Sequence, residues 1–178
     1  MIYRSKAPLR LGLAGGGTDV SPFSDRFGGA TLNATIALYA HATLEITEKP
    51  RFVFVAHENG EQEEYEPAGE LPITGCLDLL KAVYNCVQRD YGPIRKGFRL
   101  STYVDAPAGS GLGTSSTLAV AILGVFAEML GLPMGEYDLA HYAFEIERTY
   151  LKWAGGKQDQ YAATFGGFNY MEFFENDQ

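Results

Sequence analysis

Cysteine is scarce, with two thiols, Cys76 and Cys86, in 178 residues. A small disulfide-stapled scaffold needs more. Both fall in one predicted helix, where a rise of 1.5 Å per residue sets them about 15 Å apart, beyond disulfide reach. They read as reduced thiols of a cytoplasmic protein. Positive charge is also short: 14 Lys and Arg against 22 Asp and Glu give a net charge of −8, with no basic block. That balance argues against nucleic acid or a membrane surface as partner. No apolar run approaches the roughly 20 residues that span a bilayer. The start, Met1 to Pro8, lacks the apolar core of a secretion signal. His41, His57 and His141 share no metal-ligand spacing.

What is present is apolar material for one domain with a real core, 46% of the chain against 20% charged. The densest signal runs from Asp105 to Leu123, a glycine-rich loop feeding a helix. Gly109, Gly111 and Gly113 let the backbone take positive φ and leave no Cβ in a ligand's way. Thr114, Ser115 and Ser116 stand where a helix begins, the place of preferred hydroxyl caps. Good helix formers continue to Leu130, and Gly131 and Pro133 stop them. Such a helix start presents unpaired N–H groups and about half a positive charge, which suits phosphate oxygens. The hydroxyls can also reach a metal. Missing residues narrow the chemistry. No lysine follows Gly113, as a P-loop requires. Thr114 stands where a dinucleotide fingerprint needs glycine, and the acid about twenty residues on, Glu128, falls inside the helix. Gly-x-Ser-x-Gly, the mark of a hydrolase elbow, is absent. The plain alternative is a glycine turn capping a core helix.

Around this loop the chain reads as strands alternating irregularly with helices, which predicts an α+β fold, a mixed sheet covered by helices. Ile2–Arg4 and Leu9–Leu13 read as short strands on either side of Ala7-Pro8. Thr31–Leu38, His41–Thr47, Arg51–His57 and Gly97–Val104 follow as strands, with Glu61–Glu66 as an exposed edge. Leu77, Leu80, Val83, Tyr84 and Val87 recur at helical spacing, as do Leu139, Tyr142, Ala143, Ile146 and Tyr150. There is no internal repeat and no low-complexity linker.

Pro107-Ala-Gly-Ser-Gly-Leu-Gly-Thr-Ser-Ser116 resembles the central motif of the GHMP kinases, and the Gly-Leu-Gly-Thr-Ser-Ser variant looks most like their fucokinase and heptose-phosphate kinase branch. Ala7 to Asp19 is similar to the family's first motif, with Arg10 at its cation and Asp19 at its sugar-binding carboxylate. Gly16 and Gly17 replace the usual Glu-His and leave room for a bulkier or phosphorylated sugar. Gly155-Gly-Lys-Gln-Asp-Gln160 resembles the segment of the catalytic Asp. Glu145-Ile-Glu-Arg148 resembles the segment whose acid binds Mg²⁺. The resemblance covers residues 7–167 and implies a ribosomal-protein-S5-like N-terminal ATP-binding domain spanning residues 1–178. It implies ATP on Pro107, Gly109, Ser110, Gly111, Leu112, Gly113, Thr114, Ser115 and Ser116. The sugar is placed by Gly15, Gly16, Gly17, Thr18, Asp19 and Lys157, between Asp19 and Asp159. Asp159 and Arg10 are the expected catalytic pair, and Ser115 with Glu147 the Mg²⁺ ligands, Glu145 being the competing acid. The implied reaction is phosphorylation of the anomeric hydroxyl of a sugar, with heptose 7-phosphate as the expected substrate and fucose as the alternative. A sugar- or nucleotide-binding module without catalysis is the reading of another class. Family members carry a C-terminal domain that helps close the site. The chain is therefore expected to be half an enzyme with weak or no activity. A homo-oligomer stays open.

Overall fold

The computed structural model describes residues 1–175. Six strands form one mixed sheet: β1 (Ile2–Ala14), β2 (Gly29–Ile46), β3 (Phe52–Ala56), β4 (Glu61–Tyr65), β5 (Phe98–Val104) and β6 (Phe168–Phe173). The order is β1-β2-β5-β3-β4, with β6 paired to β2 off that path. Among the described residues only β3 and β5 run parallel. The helix α2 (Asp78–Tyr91) lies between β4 and β5 in the chain, so it serves the crossover that a parallel pair needs.

Two expectations merge. The short strands on either side of Pro8 are one strand, because the register slips between Pro8 and Arg10 and absorbs the missing N–H in a bulge. Thr31–Leu38 and His41–Thr47 are one 18-residue β2. Its first half pairs with β6 and its second half with β5, while β1 runs along the other edge. The charged stretch from Glu61 is the edge strand β4, as expected.

Residues two apart in β5, Phe98, Leu100, Thr102 and Val104, turn the same buried face toward the helices. Rings of Phe52, Phe54, Tyr84, Phe98 and Phe126 touch in a continuous cluster between the sheet, α2 and α3 (Thr114–Leu130). Helix α3 is buried nearly all round from Ser116 to Phe126 and packs on β1, β2 and β5. That burial anchors the loop preceding it. Helix α4 (Glu136–Glu145) runs on into a wide π-type turn, Ile146–Tyr150, closed by Leu151 N–H donating to Ile146 O at 3.0 Å. Two short helices, α1 (Phe23–Phe27) and α5 (Gln158–Phe165), complete the chain. One correction concerns the thiols: α2 begins at Asp78, behind a left-handed Leu77, so Cys76 precedes the helix that holds Cys86. Both are free. Among the described residues no helix is long and apolar enough to cross a membrane.

Candidate active site

The loop from Pro107 to Gly113 takes the conformation its glycines permit, with φ of +77°, +74° and +75° at Gly109, Gly111 and Gly113. Gly113 itself occupies the cap position of α3, which corrects the expectation that Thr114, Ser115 and Ser116 cap the helix. With a glycine as cap, no side chain bonds the first N–H groups, and the three hydroxyls lie in the first turn. Ser115 Oγ donates to Glu147 Oε1 at 3.0 Å, and Ser116 Oγ accepts from Gln160 Nε2 at 3.1 Å. The carbonyls of Pro107 and Leu112 accept from Ser110 N at 3.3 Å and from Arg10 N at 3.1 Å, and the Leu112 side chain packs on the core. That second bond fastens the loop to β1.

Arg10 reaches the same loop from below. Its Nη1 donates to Gly111 O at 2.7 Å, while Nε and Nη2 both meet Asp159 Oδ1, at 2.6 and 2.5 Å. Two charge-assisted bonds on one oxygen fix the carboxylate. Its other oxygen faces Gly113, where a Cβ would stand 3.3 Å from Oδ2. Glycine at 113 is thus favoured by its φ, and a Cβ there would also press on Asp159.

Glu147 was expected to border the buried stripe of its helix. Instead it is 1% exposed. The wide turn carries it inward, where Oε2 accepts from Gln160 Nε2 at 2.6 Å. Glu145 lies elsewhere, on a groove with Lys157 and Phe144.

One cavity of about 470 Å³ is lined by Arg10, Gly109, Gly111, Gly113, Thr114 to Ser116, Glu147 and Asp159. Arg148, Trp153, Ala154 and Gly155 form its remaining wall. A cavity of about 350 Å³ adjoins it, sharing Thr114, Ser115 and Trp153, with Leu77, Leu79, Leu80 and Leu118 on its apolar side and Glu58, Asn59, Glu61 and Asp78 on its polar side. Sequence reasoning missed Arg148 and Trp153 as lining groups. The only signal for the first was its position beside Glu147.

The structure does not bring every expected residue to this cavity. Lys157 extends over the Phe144 ring at 5.7 Å, into the groove with Glu145. Gly15, Gly16 and Gly17 form an exposed turn after β1, closed by Thr18, whose hydroxyl donates to Gly15 O at 2.8 Å. Asp19 is 3% exposed. Its Oδ2 accepts from Gln158 N at 3.1 Å and its Oδ1 from Gln158 Nε2 at 3.2 Å, so it holds the start of α5. Gly156 passes so close that a Cβ there would stand 1.8 Å from Asp19 Oδ2. Asp19→Ala, which leaves a buried N–H unpaired, is expected to cost about 1–3 kcal/mol in chemical denaturation. An unchanged midpoint would show that this contact carries no stability.

An α+β sheet that gathers a glycine loop, a guanidinium and two carboxylates at one cavity is of the class of small-molecule kinase domains. The comparisons with known proteins make the class specific. The GHMP kinases N terminal domain family matches residues 78–167, and the chain belongs to it. It is 51% identical over 173 residues to the D-glycero-alpha-D-manno-heptose 7-phosphate kinase of Campylobacter jejuni, covering 97% of this chain and 51% of that protein. The crystal structure of a D-glycero-D-manno-heptose 1-phosphate kinase from Bacteroides thetaiotaomicron superposes with a TM-score of 0.95 at 56% identity, covering all of this chain and 58% of that one. The L-fucokinase/L-fucose-1-P guanylyltransferase of Bacteroides fragilis is 28% identical over 96% of this chain and 20% of its own length. The chain thus spans about half the length of the heptose kinase it matches.

Proposed function

We propose that the chain is the ATP-binding N-terminal half of a heptose phosphate kinase, acting on D-glycero-D-manno-heptose 7-phosphate at its anomeric hydroxyl. The observation that carries the reading is the shared cavity: Asp159 with Arg10 on one side, Ser115 with Glu147 on the other, and the glycine loop between them. The N–H groups of the loop and of the α3 start take the phosphates of ATP. The adjoining cavity, with leucines for a base and polar side chains for a ribose, takes the nucleoside. Asp159 Oδ2 accepts the proton of the attacking hydroxyl, and Arg10, tied to both loop and carboxylate, holds that hydroxyl in line.

The donors at Ser115 and Glu147 fit Mg²⁺. Both are oxygens, one is a buried carboxylate, and among the described residues no cluster of three or more acids, histidines or cysteines forms an all-protein cage. Mg²⁺ habitually takes one or two protein oxygens and fills its shell with phosphates and water. When bound it would neutralise charge on the transferring phosphoryl group.

Two of these relatives carry names that put the substrate phosphate at different carbons. ADP release and calorimetric binding, run with heptose 7-phosphate, heptose 1-phosphate, fucose, galactose and mevalonate, separate the cases. Saturable ATP-dependent binding or turnover with heptose 7-phosphate is the expected result. Preference for fucose, or no binding of ATP, would sink the reading.

A further inference from the structure

Arg10 makes three short contacts with Asp159 and the Gly111 carbonyl, whereas the second guanidinium of the cavity has no such match. Arg148 is 15% exposed, yet its hydrogen bonds are two long ones, Nη1 to Trp153 O at 3.4 Å and Nη2 to Gly156 O at 3.3 Å. Its Nε is buried without a partner among the described residues. The nearest acid, Glu147, stands 3.9 Å away with its oxygens already bonded to Ser115 and Gln160. The Phe144 ring lies 5.9 Å from the guanidinium carbon and offsets part of the charge. A ring face does not meet N–H donors in the guanidinium plane, however, and those stay costly unless they meet an anion. The backbone opposite is cleared for it as well: a Cβ on Gly155 would fall 2.4 Å from Nη2.

We propose that Arg148 is a second anion-binding residue of this cleft, its guanidinium taking a phosphate group of a bound ligand. That group is either the terminal phosphate of the nucleotide or the phosphate the acceptor sugar already carries. The inference rests on the kinase reading above. Arginine suits the task because its planar fork matches two phosphate oxygens at once.

The test is calorimetric binding of Mg·ATP, of heptose 7-phosphate and of the same heptose without phosphate, to the 178-residue chain and to its Arg148→Gln and Arg148→Lys variants. Arg148→Gln is expected to weaken one phosphorylated ligand about tenfold or more, the scale of a lost charged hydrogen bond. The unphosphorylated sugar should stay within about twofold, and Arg148→Lys should recover part of the loss. Loss confined to ATP assigns the nucleotide's phosphate, and loss confined to the sugar phosphate assigns the acceptor's. Equal weakening of all three ligands, or of none, overturns the inference and leaves Arg148 a brace for Trp153–Gly156. If the unaltered chain binds neither ATP nor heptose 7-phosphate, the kinase reading fails and this one with it. Thermal unfolding identifies a variant that does not fold, in which case the lysine variant decides.

Discussion

Asp159→Asn is expected to lower phosphoryl transfer about 10²–10⁴-fold, the range over which a positioned proton acceptor contributes. Asparagine keeps the size of the side chain and can still present an oxygen to Arg10. The group it places against Gly113 is then an amide, which cannot take a proton. The nucleotide loop is untouched, so the affinity for ATP should stay within about twofold. Single-turnover ADP formation at high protein concentration, which registers the weak transfer expected of a chain about half the length of its heptose kinase relative, is set beside calorimetric ATP binding. A variant as fast as the parent would mean that alignment by Arg10 and the loop carries the reaction without a base. Because phosphoryl transfer depends mostly on positioning and charge, the lower end of that range is where the result is expected to fall.

Glu147→Gln should strike the metal and spare the fold. The carboxylate is surrounded by Ser115 and by the Nε2 of Gln160, while Gln160 Oε1 is buried and has no partner. An amide at 147 can keep its oxygen on Gln160 Nε2 and turn its NH₂ to Ser115 Oγ, which accepts as readily as it donates. Stability is thus expected to change little, while Mg²⁺-dependent ATP binding weakens roughly 10- to 100-fold, as for loss of a charged ligand. ATP binding in excess chelator should be the same in both proteins. A titration of ATP with and without Mg²⁺ shows the difference. If the two proteins respond to Mg²⁺ alike, the metal does not sit on Glu147.

Much of this site could be read in the amino acids, for reasons that differ along the chain. The loop, α3 and its stop were legible because glycines and hydroxyls at a helix start have few other uses. Arg10, Ser115 and Asp159, 149 residues apart at the extremes, do meet in one cavity. The inward turn of Glu147 was half visible: four residues after Ala143 it had to lie near the buried stripe, but periodicity does not foresee a widened turn. Lys157 and Asp19 show the limit more plainly. Once Gly155-Gly156 interrupts the helical pattern, spacing no longer says on which side a residue emerges, and Lys157 leaves by the groove beside Phe144. Asp19 was read as a sugar ligand from the resemblance of Ala7 to Asp19 to the first GHMP motif, and its tie to the start of α5 is a further role. The backbone N–H of Gln158 that takes it up is 139 positions away, and no local pattern announces it.

Gln158, Asp159 and Gln160 are consecutive, and successive residues leave a helix about 100° apart. Each therefore grips a different wall: the end of the glycine turn, β1, and the meeting of α3 with the π-type turn. A change at any one of them disturbs a neighbour's grip, so this single helical turn is poorly placed to evolve. Gly16 is the opposite case, an exposed position with no atom within 4 Å of where its Cβ would stand. Side chains can be added on that exposed turn while the helical turn behind it stays as it is.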